Sequence, residues 1–387
     1  MKRSFLSLAI GTFALGIAEF GMMGILGDVA NGVGVNIVQA GHLVSSYSLG
    51  VAVGAPLLIA LRRMPLRSLM VLLGIVILVG NIGSALAPDY HTLLCARFIS
   101  GLPHGGFFGA GAIVCSRLAT KGHGATAVSI LVSGMTVANL VGVPLATFIS
   151  NLFSWRFAFG GVAAFALMAV IGMRLWIPYL QPLPDTGLKG QFHFLRNRAP
   201  WLVYAGVFFG QAGVYCWFSY IDPIMTHVTG FSASAMTWVM VVAGAGMVFG
   251  NIVAGRLADR YPASVVSGVI CVIIAVTMPS LFLCSHLQTP SLLLMFIATA
   301  CLFGVGGPLQ YLIVRYSKGG EMLGGAGIQI AFNVSNAVSA SLGGLVIARG
   351  FGLSSPALVG VPFAIIGGIA LFILFNSEKK QNNLRKV

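Results

Sequence analysis

Acidic side chains are scarce in this chain. Its 387 residues hold 8 Asp and Glu against 22 Lys and Arg, and charged types make up 8% of the whole, where a soluble domain carries about 25%. A chain so poor in charge cannot clothe a water-facing surface of this size, which excludes an ordinary soluble protein. The sequence also lacks a G-x-x-x-x-G-K-[ST] phosphate loop and an H-E-x-x-H zinc pair, so it cannot hydrolyse nucleotide by that route or act as a zinc hydrolase of that type. Its six cysteines, Cys95, Cys115, Cys216, Cys271, Cys284 and Cys301, sit inside apolar runs with no C-x-x-C or Cys/His spacing. They read as buried small hydrophobes. Neither a metal site nor a cofactor is expected, and no cluster of reactive side chains points to an enzyme.

What the chain has instead is apolar length, with 57% hydrophobic residues and 51 glycines. A helix needs about 20 mostly apolar residues to cross about 30 Å of hydrocarbon. Twelve runs qualify, near 5–27, 40–61, 68–87, 92–116, 125–150, 156–178, 200–222, 234–255, 264–284, 291–314, 324–348 and 355–375. Runs of this length are helices, because barrel strands would be half as long and would alternate. The expected fold class is therefore an all-α membrane protein with twelve transmembrane helices.

The basic residues mark topology. Lys2/Arg3, Arg62/Arg63/Arg67, Arg117/Lys121, Lys189/Arg196/Arg198, Arg256/Arg260, Arg315/Lys318 and Lys379/Lys380/Arg385/Lys386 occupy every second loop, while the opposite loops hold Arg156, Arg349, Asp28 and Asp89. By the positive-inside rule the basic loops and both termini are cytoplasmic. Scattered in this way, the net charge of +14 does not form the one-faced patch of a nucleic-acid binder. Lys2 and Arg3 resemble the start of a signal peptide, but the following run shows no convincing cleavage site and reads as a retained first span.

At the midpoint, YLQPLPDTGLKGQFHFLRNRAP (179–200) reads as a cytoplasmic linker, with Lys189, Phe192, Phe194, Leu195 and Arg198 suggesting a short amphipathic helix at the membrane surface. It divides the chain into two six-helix bundles, 1–178 and 200–387, joined by 179–199. A shift of about 196 residues pairs Gly50 with Gly246 and Gly54 with Gly250, and a shift of 197 pairs Lys121 with Lys318 and Asn139 with Asn336. Such a parallel six-plus-six repeat is one way secondary transporters are built, with substrate bound near the midplane.

Several segments carry a family resemblance. GRLADR at 255–260 resembles the cytoplasmic signature loop of the major facilitator superfamily. The first-half copy, IALRRMPLR at 59–67, departs from it, with Ile59 where Gly255 stands and Arg63 where Asp259 stands. ARFISGLPHGGFFG at 96–109 resembles the span-4 motif of proton-driven drug and sugar exporters, whose arginine would be Arg97. SGMTVANLVGVPLATFI at 133–149, with Gly134, Gly142 and Pro144, resembles the antiporter motif of span 5. GTFALGIAEFGMMGIL, AGHLVSSYSLGVAVGAPL and FSWRFAF look closest to the arabinose-efflux (AraJ-like) branch. The resemblance implies two pseudo-symmetric bundles in a bacterial inner membrane, a monomer, and proton-coupled export of a small sugar-like or drug-like solute. It further implies that Asp259, with Arg256 and Arg260, latches an inner gate. A proton-independent facilitator or uniporter is the competing reading.

One residue stands out on physical grounds. Glu19 is the single charge between Ser4 and Gly27. At 1.5 Å per residue it lies ~21 Å into span 1, about level with Arg97, which lies ~8 Å into the oppositely directed span 4. His104 follows Arg97 by two turns, near the midplane. A charge at mid-bilayer costs about 2.5–3.5 kcal/mol on insertion scales, so it needs a partner or a water-filled cavity. Either Glu19 and Arg97 pair to brace the bundle, or Glu19 takes up and releases a proton. His104 either relays that proton, contacts substrate, or is a hydrogen-bonded core histidine.

The remaining candidates are polar or aromatic residues within spans. Asn139, Gln211, Gln310, Gln329, Asn333 and Asn336 can anchor a substrate or bond helix to helix, and Phe108, Tyr215 and Trp217 would give the site an aromatic lining. Small-residue stripes, Ser46/Gly50/Gly54 in span 2, Ala138/Gly142/Ala146/Ser150 in span 5 and Gly246/Gly250/Ala254 in span 8, mark either tight packing or sliding surfaces.

Overall fold

A computed structural model describes residues 2–61, 63–120, 124–182, 192–258, 260–317 and 321–384. The described residues form helices and connecting turns. The membrane-length elements are α1 (Lys2–Gly24), α3 (Ile37–Ala60), α4 (Leu66–Leu86), α5 (Tyr90–Gly101) continued by α6 (His104–Leu118), α7 (Gly124–Val137) continued by α8 (Val143–Leu152), and α9 (Trp155–Trp176). A short α2 (Leu26–Gly32) follows α1. The second half holds α10 (Arg198–Phe218), α11 (Met236–Ala258), α12 (Ala263–Cys284), α13 (Gln288–Gly304) continued by α14 (Gly306–Tyr316), α15 (Glu321–Ala348) and α16 (Pro356–Leu384).

Among the described residues, 11 stretches are long and apolar enough to cross a bilayer, and α3, 24 residues long, is the twelfth. The twelve-helix membrane fold expected from hydropathy is the fold observed.

Three spans are interrupted, each where the sequence forces it. Pro103 has no N–H to give the Ile99 carbonyl, which instead accepts from Leu102 N at 3.2 Å, and α5 gives way to α6. Pro144 likewise cannot bond the Leu140 carbonyl, and Ala138–Gly142 widens into a π turn just before it. Pro308 cannot bond the Gly304 carbonyl, and α13 gives way to α14 at Val305, between Gly304 and Gly306.

The linker differs from its expectation. Residues 183–191, Lys189 among them, lie outside the described residues. Beyond them His193–Arg196 is a single 3-10 turn with Phe194 buried, Asn197 is extended at φ −84, and Arg198 already starts α10. The extended residue and Pro200 keep the amphipathic pattern from closing into one helix.

Packing divides the chain into two compact units, Met1–Thr186 with Phe231–Val241, and Gly187–Gly230 with Val242–Val387. In the first, α1 packs against α7, α8 and α9, α4 against α5 and α9, and α3 against α5. In the second, α10 packs against α15 and α16, and α12 against α16 and α13.

The glycine stripes explain the closest approaches. A Cβ on Gly50 or Gly54 would strike the backbone carbonyl of Phe98 or Leu102, and one on Gly246 or Gly250 would strike that of Phe296 or Ala300. The paired glycines of the two halves therefore make the same backbone-to-backbone crossing within each unit, without which side chains would hold the helices apart.

Candidate functional site

Glu19, Arg97 and His104 converge inside the first unit, all three nearly inaccessible to solvent. Close packing of α1 brings them there. Gly11 leaves room for the Phe107 ring of α6, Gly16 for Met135 and Ala138, and Thr12 Oγ1 donates to the Leu131 carbonyl at 2.6 Å. On the other side the Gly101–Tyr47 and Gly50–Phe98 crossings press α3 onto α5, and the bend at Pro103 starts α6 with His104.

His104 is the centre of the group. Its Nε2 lies 3.7 Å from Glu19 Oε2, and its Nδ1 lies 2.9 Å from the Tyr47 hydroxyl. With the tyrosine donating, Nδ1 accepts and Nε2 carries the hydrogen that faces the carboxylate. The 3.7 Å gap exceeds hydrogen-bond length, and neither Glu19 oxygen has a hydrogen-bond partner in the protein. The Phe108 ring lies 5.4 Å from the imidazole, one helical turn along α6.

Arg97 does not form the direct ion pair with Glu19 that equal depth suggested. Its NH1 donates to the Ala18 carbonyl at 2.7 Å, and its guanidinium lies over the Tyr47 ring at 4.5 Å and the Phe159 ring at 5.5 Å. Cation–π contact and one carbonyl bond thus hold a positive charge beside the backbone of Glu19. Its Nε and NH2 have no hydrogen-bond partner. The sequence reading missed Tyr47, which touches both Arg97 and His104. Its one visible signal is its position between Ser46 and Gly50, next to the stripe along which α3 meets α5.

The other candidates distribute as follows. Asn139 is buried in the π turn, with neither side-chain atom hydrogen-bonded in the protein. In the second unit Gln211 Nε2 reaches the Leu302 carbonyl at 3.4 Å, close to the α13–α14 break, and its Oε1 has no partner. Tyr215 stacks edge-on with Phe332 at 5.5 Å, Trp217 is fully buried, and Asn333 Nδ2 donates to the Gln329 carbonyl at 3.0 Å. Gln310 is half-buried on α14. Each unit therefore directs a polar side chain from its first long helix, Glu19 or Gln211, toward the interrupted span of the same unit. Interrupted helices at matching positions of two repeats are where secondary transporters bind solute and coupling ions.

Of the gating candidates, Gly134 and Gly142 pack on α1 at Ala9 and Ile17, and Pro144 ends the π turn. Arg256 and Arg260 are exposed at the end of α11, and Asp259 lies outside the described residues.

A family model described as Major Facilitator Superfamily matches residues 8–324 and, in a second alignment, 203–387. The chain belongs to the major facilitator superfamily. It is 44% identical over 384 residues to the putative transporter AraJ of Escherichia coli (strain K12), covering 98% of this chain and 97% of that one. It is also 29% identical to a chloramphenicol resistance protein of Streptomyces lividans, over 89% of this chain and 88% of the other. A probable sugar efflux transporter of Helicobacter acinonychis is 27% identical, with 94% and 92% covered. The crystal structure of a bacterial homolog to the human lysosomal transporter Spinster superposes with a TM-score of 0.69 over 96% of this chain and 94% of that one, and at 19% identity it speaks to the fold. As a member of this superfamily the protein is a multi-pass membrane transporter of small molecules rather than an enzyme.

The hydroxyl of Tyr47 offers a direct probe of the group in this major facilitator. Tyr47→Phe keeps the ring over Arg97 and removes only the bond to His104. Loss of one buried hydrogen bond costs about 1 kcal/mol of stability, so the variant is expected to melt slightly lower, and solute transport after reconstitution, with His104 no longer held by the hydroxyl, is expected to slow.

Proposed function

We propose that the protein is a proton-coupled antiporter that exports a small organic solute, sugar-like or amphipathic, by alternating access. In this reading Glu19 is the site that gains and loses the proton, His104 passes it on, and Arg97 holds positive charge beside it. The observation that carries it is the Glu19 carboxylate, buried among the helices of its unit with neither oxygen hydrogen-bonded, facing a histidine 3.7 Å away. A purely structural acid would be saturated with donors, since an unsatisfied buried charge is costly. The relatives named for sugar efflux and chloramphenicol resistance support export and bracket the solute class. Asn139, Gln211, Tyr215, Trp217, Gln310, Asn333 and Phe108 are the residues proposed to meet it. The protein works as a monomer in the bacterial inner membrane with both termini cytoplasmic, its bundles being 1–178 and 200–387. Arg256, Asp259, Arg260, Gly134, Gly142 and Pro144 serve the gates.

Everted vesicles test the coupling. A one-unit pH gradient, acid inside, is worth about 1.4 kcal/mol per proton, enough for about tenfold accumulation of an exchanged neutral solute. The expected result with a panel of pentoses, hexoses and chloramphenicol is uptake of one class that collapses when a protonophore is added. Uptake indifferent to the gradient would make the protein a facilitator.

A further inference from the structure

Two cavities open along α16 in the second unit, one toward α14 and the start of α12, the other against α12. One, about 440 Å³, lies where α12 begins and α16 nears its basic end, with Tyr261, Tyr311, Phe375, Arg315, Glu378 and Lys379 among its walls. The other, about 270 Å³, lies farther along the same two helices, between Val272 and Val276 on one side and Ala364, Ile365, Gly368 and Phe372 on the other. On α16 the residues Ile365, Gly368, Phe372, Phe375 and Lys379 succeed one another at three or four positions, so a single helix face runs from one cavity to the other. From Lys379 to Ile365 that face spans ~21 Å at 1.5 Å per residue, comparable to an extended acyl chain.

The chemistry of the seam changes along its length. Near the helix end, Arg315 is half exposed and its NH1 stands 3.7 Å from Glu378, while both Glu378 oxygens already accept hydroxyl hydrogens, from Tyr316 at 2.6 Å and Ser264 at 2.7 Å. The carboxylate takes its hydrogen bonds from neutral donors and pairs with Arg315 at longer range, so the cavity carries two cations, Arg315 and the exposed Lys379, against one carboxylate. Tyr261 and Tyr311, 59% and 62% exposed, flank the cavity, as amphipathic rings do at headgroup level. Beyond Phe372, whose ring sits 3.1 Å from the Cβ position of Gly268, the groove is wholly apolar, and its small residues Ala275, Ala364 and Gly368 form the depression between the exposed Val276 and Ile365.

We propose that this seam binds one anionic glycerophospholipid, its phosphate at Arg315 and Lys379 and one acyl chain in the α12–α16 groove. The cavity's cations select the charge, and the groove selects a long chain over a free anion. The placement rests on the cytoplasmic assignment of the basic helix ends, the side on which basic pockets between transmembrane helices take anionic headgroups.

Native mass spectrometry of the full chain, extracted from vesicles of equal phosphatidylglycerol and phosphatidylcholine, tests it. One retained phosphatidylglycerol is expected. A basic residue near the surface is worth about 1 kcal/mol toward an anionic lipid, about fivefold per cation. Lys379→Gln, an exposed substitution that breaks no contact, should therefore weaken the preference about fivefold, and adding Arg315→Gln should abolish it. Ala275→Phe, at a half-buried position of the groove, fills the groove and leaves both cations; it should reduce retention of phosphatidylglycerol, and excess glycerol phosphate should not displace the lipid. Equal retention of the two lipids, an unchanged preference in Lys379→Gln, or displacement by glycerol phosphate would each overturn the assignment. Solute transport by these variants does not enter the readout, so failure here is distinct from failure of the antiport reading.

Discussion

Glu19→Gln is expected to abolish proton-driven export while leaving solute binding within about threefold of wild type. The amide has the shape of the protonated acid but neither gains nor releases a proton at working pH. A carrier that must trade a proton for solute in order to return would then reorient only with solute bound. Downhill exchange of labelled for unlabelled solute needs no proton turnover and should survive. The substitution removes no hydrogen bond, because neither oxygen makes one in the protein, and it relieves any cost of holding charge in hydrocarbon. Folding should therefore not suffer, and the melting transition of the variant serves as the control. Solute accumulation in proteoliposomes with an imposed pH gradient, measured beside exchange, separates the steps. Undiminished accumulation in Glu19→Gln would reduce Glu19 to a structural acid.

The second large effect concerns stability. Gly54→Ala and Gly250→Ala add one methyl each, yet that methyl would occupy the space of the Leu102 or Ala300 carbonyl oxygen in the facing helix. Both obstacles are backbone, so no rotamer change relieves them. Overpacking a fitted core costs about 1–3 kcal/mol, and more when the backbone must move. Both variants are expected at the upper end, seen as loss of monodisperse protein in detergent and a melting transition lowered by several degrees. Gly160→Ala and Gly161→Ala, with nothing within 4 Å of the added atom, are the matched controls and should be neutral or slightly stabilising. A wild-type transition in Gly54→Ala would mean that the α3–α5 crossing is looser than the packing requires.

Hydropathy and charge rhythm made the helices legible, because a bilayer imposes one length and one hydrogen-bonding solution on every crossing. Counting 1.5 Å per residue set Glu19 level with Arg97 and His104 two turns from it on the same helix face. Azimuth was not legible. Which face of α3 looks at His104 depends on the crossing set by Gly50 and Gly101, a property of two helices together, and so Tyr47 went unseen. The same blindness left open a direct pair between Arg97 and Glu19. Two groups at equal depth can point past one another, and the guanidinium is taken instead by the Ala18 carbonyl and two aromatic rings.

The π turn at Ala138–Gly142 has a geometric effect on the stripe that contains it. Side chains four apart on an α-helix overshoot a full turn by about 40°, and over Ala138, Gly142, Ala146 and Ser150 that drift would carry the last well away from the direction of the first. A wider turn rotates less per residue and takes back part of the drift at its start. Ala138 can therefore face Gly16 and Ala146 face Gly21, while Ser150 still donates to Asp28 at 2.5 Å. The irregularity in the hydrogen-bond ladder is what keeps the seam straight along α1.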